Sequence, residues 1–355
     1  MTYLVTGGAG FIGSNFIYYM FEKYGDEIRI INLDKLTYAG NLANLKEIEG
    51  RENYRFIRAD ITDREAISAV FRENEIDRVV HFAAESHVDR SIVDPEIFVR
   101  TNVLGTATLL NCAKEAWSTE DGGFVEGKRF LHVSTDEVFG SLPEPREGEE
   151  PTYFYETTPY DPHSPYSASK ASSDLIVKAY IDTYGFPANI TNCSNNYGAY
   201  QFPEKLIPLV IANALAGKSL PVYGDGKNIR DWLYVRDHAK GIDMVLQKGR
   251  IGETYNIGGH NERTNITIIK TILKTLQELL PDDDPRKANV SEDLITFVKD
   301  RLGHDRRYAI APDKIKREVG WEPDTPFEEG IRLTVKWYLE HQDWVENVTS
   351  GDYQQ

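Results

Sequence analysis

Tyr3-Leu4-Val5-Thr6-Gly7-Gly8-Ala9-Gly10-Phe11-Ile12-Gly13 is an apolar run that breaks abruptly into glycines. Tyr3 to Thr6 reads as a short buried strand, and Phe16, Ile17, Met20 and Phe21 recur at helical spacing between Ser14 and Tyr24. Gly8, Gly10 and Gly13 therefore meet the G-x-G-x-x-G spacing at a strand-to-helix turn, where backbone N–H groups can approach a pyrophosphate at the helix N-terminus. Asp34 closes the next strand, 21 positions after Gly13. A carboxylate there accepts hydrogen bonds from an adenosine ribose and repels a 2′-phosphate, which favours NAD over NADP. Lys35 beside it is either a solvated lysine or a partial counterweight to that preference.

Outward from this turn, apolar strands alternate with helical patterns. Arg29 to Leu33, Arg55 to Arg58, Arg78 to Phe82 and Arg129 to Val133 read as strands, separated by helices such as Arg64 to Glu73 and Thr101 to Trp117. That alternation implies βαβ units and a parallel sheet covered on both faces: a Rossmann-like, doubly wound α/β lobe. Asp60-Ile61 and Phe82-Ala83-Ala84 follow the third and fourth strands, at the carboxyl ends where such sheets bind ligands. Asp60 suits either a ribose or the N-cap of the next helix, with Thr62 and Asp63 reinforcing the cap. Gly122 to Lys128 and Leu142 to Pro165 read as loops, the second long enough to carry function. Later, Leu206 to Ala216 and Ile266 to Leu280 read as helices. The expected division is a cofactor lobe over 1–191, returning at about 231–256, and a smaller mixed α/β substrate lobe over 192–230 and 257–355.

Composition narrows the class. At 355 residues the chain exceeds the size at which one core usually stops growing, which fits two associated lobes. Apolar residues make up 41%, and no segment approaches the roughly 18 consecutive apolar residues of a membrane span. A secretory signal pattern is absent, so a soluble, cytoplasmic protein is expected. Cys112 and Cys193 are too few for a disulfide framework and form no CxxC pair, so buried thiols and no metal are expected. The net charge of −16 argues against a nucleic-acid surface, and an anionic substrate would need local positive charge in its site.

The chemistry concentrates downstream. Tyr166 and Lys170 lie four residues apart behind a helix-starting Pro165, so the ammonium can stabilise a phenolate and lower the tyrosine pKa. Asp136 and Glu137 follow the fifth strand within Ser134-Thr135-Asp136-Glu137-Val138. Redox chemistry alone does not need two acids, and their presence points to removal of water as well. Neighbours in a strand face opposite ways, so the pair must lie past the strand end, in a turn, to serve one substrate. His81, inside an apolar strand, reads as a satisfied core histidine rather than a ligand. His87 either lines the cofactor end of the pocket or bonds within its loop.

Together, Thr6 to Gly13, Ser134-Thr135 and the Tyr166/Lys170 pair resemble the extended short-chain dehydrogenase/reductase superfamily. Within it, Ala83 to Asp89, Ser134 to Gly140, Asn192 to Gly198, Asn228 to Trp232 and Gly303 to Tyr308 are similar to the dTDP-glucose 4,6-dehydratase family. Related epimerases usually lack the Asp-Glu pair, and GDP-mannose dehydratases carry a Thr-Ser-Glu pattern. The match covers most of the chain. It implies an NAD-retaining lyase in which Tyr166, aided by Thr135 and Lys170, takes the sugar O4 proton, Glu137 removes the C5 proton and Asp136 protonates the departing C6 hydroxyl. It adds Thr37, Thr101 and Asn196 to the cofactor contacts Gly7, Gly10, Phe11, Ile12 and Gly13. For the substrate it implies Ser86, His87, Asn195, Lys205, Leu206, Pro221 and Tyr223, with Arg230 on the diphosphate and Asn265, Arg301 and His304 assisting. Family members often carry Arg-Pro-Gly-His where this chain has Arg301-Leu302-Gly303-His304. A homodimer through the helices beginning near Thr101 and Tyr166 is also implied. The alternatives are a 4-epimerase, a dehydratase of another nucleotide sugar, or a non-catalytic NAD-binding regulator that would leave the Thr135/Asp136/Glu137/Tyr166/Lys170 set idle.

Overall fold

The computed structural model describes residues 1–145, 148–300 and 303–351. Seven parallel strands build the main sheet: β1 (Thr2–Thr6), β2 (Arg29–Asp34), β3 (Tyr54–Arg58), β4 (Arg78–His81), β5 (Arg129–Thr135), β6 (Ala188–Cys193) and, after three strands of the second lobe, β10 (Thr254–Ile257). Their order is β10-β6-β5-β4-β1-β2-β3, so the chain winds outward from β1 one way, then crosses to β4 and winds the other. Such a reversal leaves a crevice at the strand carboxyl ends between β1 and β4.

Both faces of the sheet are covered, which is why its strands are apolar throughout rather than alternating. On one face Phe16, Met20, Ile242 and Leu246, from the Phe11–Tyr24 and Val235–Lys248 helices, pack over Val5, Ile30 and Leu131. On the other, Ile67, Leu109, Trp117 and Val177 come from the Arg64–Glu73, Thr106–Trp117 and Pro165–Tyr184 helices. The expected single helix from Thr101 to Trp117 differs at its start. Residues Val99–Gly105 form a π-helical stretch that continues into the α-helix. Within it, Asn102 accepts from the Glu85 N–H at 2.8 Å and donates to the Glu85 carbonyl and the Ser169 hydroxyl.

The second lobe has its own core, with Ile211, Trp232, Ile272, Phe327 and Tyr338 at its centre. It holds β7 (Asn195–Tyr197), β8 (Leu220–Tyr223), β9 (Ile229–Tyr234), β11 (Glu262–Thr264) and β12 (Ile295–Val298), in a mixed β11-β9-β7 sheet and a parallel β12-β8 pair. Two places depart from the expected division. Trp232 of β9, expected with the cofactor lobe, packs in the second core. Ile315, Val319 and Trp321 lie in the core of the first lobe, and Trp321 Nε1 donates to the Asp237 carbonyl at 3.0 Å. The short Asp313–Val319 helix has too few turns to reveal from its pattern which core it fills. No helix among the described residues is long and apolar enough to cross a membrane.

Candidate active site

The glycine turn closes tightly on the sheet. Gly7 has φ +73°, and a Cβ there would sit 2.5 Å from the Ala83 nitrogen; one on Gly13 would sit 2.3 Å from the Gly7 carbonyl oxygen. The backbone approach that a pyrophosphate cradle needs is therefore built from strand, turn and helix packed without side chains between them. Asp34 is fixed beside it: its carboxylate accepts from the Ala9 N–H at 3.0 Å and the Leu36 N–H at 2.8 Å. Burial pushes its carboxyl above the usual range, and those backbone bonds work against the shift. The Lys35 ammonium is 2.7 Å from the Asp60 carboxylate, an ion pair that takes up the charge that would otherwise draw a 2′-phosphate. The helix cap expected of Asp60 belongs to Asp63, whose side chain accepts from the Ala66 N–H. Asp60 instead closes its own turn onto the Thr62 N–H.

All the residues expected to contact the cofactor line one cleft: Gly7, Gly10 to Gly13, Asp34, Lys35, Thr37, Asp60, Ile61, Phe82 to Ala84, Thr101, Tyr166, Lys170 and Asn196. This donor set fits a dinucleotide, with a phosphate cradle at one end, a ribose carboxylate at β2, and an apolar passage toward Tyr166.

The acids sit at the far end of the same cleft. β5 stops at Thr135, and Asp136–Phe139 form a 3₁₀ turn closed by Gly140 at φ +84°. The turn that strand geometry demanded is present, and both Asp136 and Glu137 line the cleft beside Tyr166. Thr135 caps the turn, accepting from the Glu137 N–H and donating to Asp136 Oδ1, each at 3.3 Å. Asp136 is 2% exposed, and its Oδ2 is buried with no hydrogen-bond partner among the described residues. Its carboxyl is pushed well above the usual range by burial first, then by Glu137 and Asp231, with Arg230 opposing. A carboxyl whose hold on its proton is strengthened in this way is suited to act as a proton donor.

Tyr166 and Lys170 come from a well-started helix. Ser164 and Ser167 form a reciprocal capping box, and Pro165 occupies the first position. Burial, then Glu137 and Cys193, push the Tyr166 hydroxyl well above its usual value, while the neighbouring Thr135 hydroxyl pulls the other way. Lys170 stands one helical turn beyond Tyr166 and lines the same cleft. The Lys170 ammonium donates to the Val133 carbonyl at 2.8 Å, and burial weakens its own hold on a proton.

The comparisons with known proteins agree with this geometry. The GDP-mannose 4,6-dehydratase family model matches residues 4–334. A dTDP-glucose 4,6-dehydratase of Shigella flexneri is 55% identical over 357 aligned positions, covering 100% of this chain and 97% of the relative. The chain belongs to the dTDP-glucose 4,6-dehydratase family. Among solved structures, the dTDP-glucose 4,6-dehydratase of Bacillus anthracis in complex with NAD superposes with a TM-score of 0.85 at 46% identity, covering 98% of this chain and 99% of that one. The Streptomyces venezuelae enzyme, with NAD and dTDP bound, gives 0.87 at 44% identity over 98% and 100% of the two chains.

The residues implied by the dTDP-glucose 4,6-dehydratase resemblance for the substrate fall into two groups. Ser86, Thr135, Asn195 and Lys205 line the cleft. His87, Leu206, Pro221, Tyr223, Arg230, Asn265 and His304 are not part of its lining. His87 caps the Val88–Val93 helix, accepting from the Arg90 N–H, and lies 3.7 Å from the Glu204 carboxylate. Several of the others cluster on the second lobe. Tyr223 and His304 meet edge to face at 6.1 Å, and Arg230 donates to the Asp305 carbonyl at 2.9 Å while its guanidinium lies 4.1 Å over the Tyr308 ring. Arg230 also acts on the Asp136 carboxyl, so this basic cluster begins where the acid pair ends. Arg301 and Leu302, where this chain departs from the Arg-Pro-Gly-His run, lie outside the described residues.

Sequence reasoning passed over several groups around the cleft. Tyr38 and Glu85 line the cleft, Glu85 with its carboxyl raised by burial. Asp174 lies under the catalytic turn and binds Ser134 and Tyr160. The available signal was its spacing, one helical turn beyond Lys170 on the face that carries Tyr166.

Proposed function

We propose that this chain converts dTDP-glucose to dTDP-4-keto-6-deoxyglucose, by oxidation at C4, elimination of water across C5–C6 and re-reduction at C6. NAD, bound in the glycine cradle, supplies reversible acceptance of the C4 hydride and its return at C6, so that no external reductant is consumed. Tyr166 takes the O4 proton as C4 is oxidised, with the Thr135 hydroxyl holding the same oxygen. The resulting ketone acidifies C5, and Glu137 removes that proton. Asp136 protonates the C6 hydroxyl as it leaves as water, and a proton returned at C5 completes the product. Asp34 accepts from the ribose, while Arg230 answers the diphosphate, where guanidinium geometry suits phosphate oxygens.

One observation carries the reading: the bare, buried Oδ2 of Asp136, on a carboxyl that burial and Glu137 raise, beside Glu137 and in one cleft with Tyr166. Neighbouring carboxyls in unlike surroundings are what an acid and a base for one elimination require, and here Asp136 is buried with a bare oxygen while Glu137 is only partly buried. Incubation with dTDP-glucose alone should give the 4-keto-6-deoxy product, and formation of dTDP-galactose would make the enzyme an epimerase. Parallel assays with UDP- and GDP-glucose test the nucleobase.

The working unit in this reading is a cytoplasmic homodimer. Its cysteines are both free and buried. Val99, Leu104 and Leu175 are each more than half exposed on the helices that flank the catalytic one and on that helix itself, an apolar face suited to a second copy. Sedimentation at micromolar concentration distinguishes dimer from monomer.

A further inference from the structure

The Pro165–Tyr184 helix buries a charged group that the proposed reaction does not use. Asp174 is 1% exposed, one turn beyond Lys170. Its Oδ2 accepts from the Ser134 hydroxyl at 2.7 Å and the Tyr160 hydroxyl at 3.1 Å, and its Oδ1 lies 3.0 Å from His132 Nε2. His132 and Ser134 flank Val133 on β5, and Val133 is the residue whose carbonyl holds the Lys170 ammonium. Three consecutive residues of β5 thus grip both members of an opposite-charge pair on the catalytic helix. The next two residues of the chain are Thr135 and Asp136.

We propose that Asp174 is a positioning residue for the dehydratase reaction: its carboxylate balances the buried Lys170 ammonium and fastens the Ser134-Thr135-Asp136 strand end to the helix that carries Tyr166. The inference rests on the roles given above to Tyr166 and Lys170. The groups facing the carboxylate are few. Lys170 shares its helix, His132 and Ser134 come from β5, and Tyr160 comes from the 142–165 loop. Behind them, His81 of β4 approaches the His132 ring at 5.3 Å, and Cys193 of β6 acts on Lys170. Burial holds both imidazoles well below their usual value, so neither brings a charge at neutral pH. Burial also raises the Asp174 carboxyl to about 6, with Lys170 and two hydroxyl donors opposing, which leaves it ionised at neutral pH as the counter-charge of Lys170. In a dry interior, removing one member of such a pair leaves the other poorly solvated and drives it toward neutrality.

Asp174→Asn keeps the shape and removes the charge. The expected result is a kcat lowered about 10- to 100-fold with KM for the nucleotide sugar little changed, the scale on which outer-shell partners and small misplacements act. The acidic limb of the kcat–pH profile should move to higher pH, because a Lys170 that loses its proton no longer favours the Tyr166 phenolate. A purely structural role would lower stability without moving that limb. Wild-type kcat with an unmoved limb overturns the proposal. If Asp174→Asn does not fold, Ser134→Ala, which strips one donor from the carboxylate, should lower kcat several-fold at constant KM, and wild-type kcat there overturns it instead. Tyr166→Phe separates the two layers. A fully active Tyr166→Phe sinks the underlying assignment, whereas an inactive Tyr166→Phe beside a wild-type Asp174→Asn sinks only the role of Asp174.

Discussion

Asp136 and Glu137 are chemically alike and adjacent, yet Asp136 is buried with one bare oxygen while Glu137 is only partly buried. In the proposed mechanism, environment rather than residue type divides their roles. Asp136→Asn should lower kcat by about 10²- to 10⁴-fold, the usual worth of a positioned acid. It should also change how stability depends on pH. The folded-state pKa of Asp136 lies above the ordinary 3.8. Its contribution to stability is therefore complete below about 3.8 and is lost as pH rises through the folded value. The variant lacks that loss, so thermal unfolding from pH 4 to 9 should favour it increasingly as pH rises; the opposite trend would mean that the carboxyl is ionised and paired in the fold. The sequence made the acid pair and its turn legible, because strand geometry forces two neighbours off the strand before they can share a substrate. It did not show what holds the Lys170 ammonium, since that partner is a backbone carbonyl, and a carbonyl has no letter in the sequence.

At the scale of elements, helix starts and turns decide whether those side chains meet. Ser164 accepts from the Ser167 N–H at 3.0 Å, and the Ser167 hydroxyl accepts in return from the Ser164 N–H. Ser164→Ala should cost about 0.5–2 kcal/mol in chemical denaturation. Tyr166 is the second residue of the helix, so kcat should fall, while NAD affinity, carried mostly by the glycine cradle at β1 and only partly by Tyr166 and Lys170, should change less. Gly7→Ala should do the reverse. It forces a left-handed backbone on a residue with a Cβ and drives that Cβ against the backbone of Ala83, which should cost about 2–4 kcal/mol and weaken NAD binding in a calorimetric titration. The alternation of strands and helices was legible because each element is long and uniformly apolar where it is buried. The π-helical stretch at Val99–Gly105 was not: its register is set by Asn102 reaching Glu85 and Ser169, contacts that no periodicity records.

Across the whole molecule, the cofactor cradle is tied to the far end of the chain. Trp344 Nε1 donates to Asn44 Oδ1 at 2.8 Å, Asn44 Nδ2 donates to the Ala9 carbonyl at 2.9 Å, and the Ala9 N–H donates to Asp34. Trp344 lies in the core of the second lobe and Asn44 is 2% exposed, so one buried line of hydrogen bonds runs from that core to the carboxylate placed for the ribose. Sequence reading divided the chain into expected lobes by its strand–helix pattern, but a contact between residues 300 positions apart is fixed only by the packing of both cores. Trp344→Phe keeps most of the apolar bulk and removes the donor. Asn44 Oδ1 is then left buried without its partner, which should cost about 1–3 kcal/mol in urea unfolding. If the line also holds the cradle in shape, NAD should bind several-fold more weakly to the variant although the substitution touches no cleft residue. Lower stability with unchanged NAD affinity would show instead that the bond only fastens the lobes together, and that the Ala9–Asp34 contact is held by the glycine turn alone.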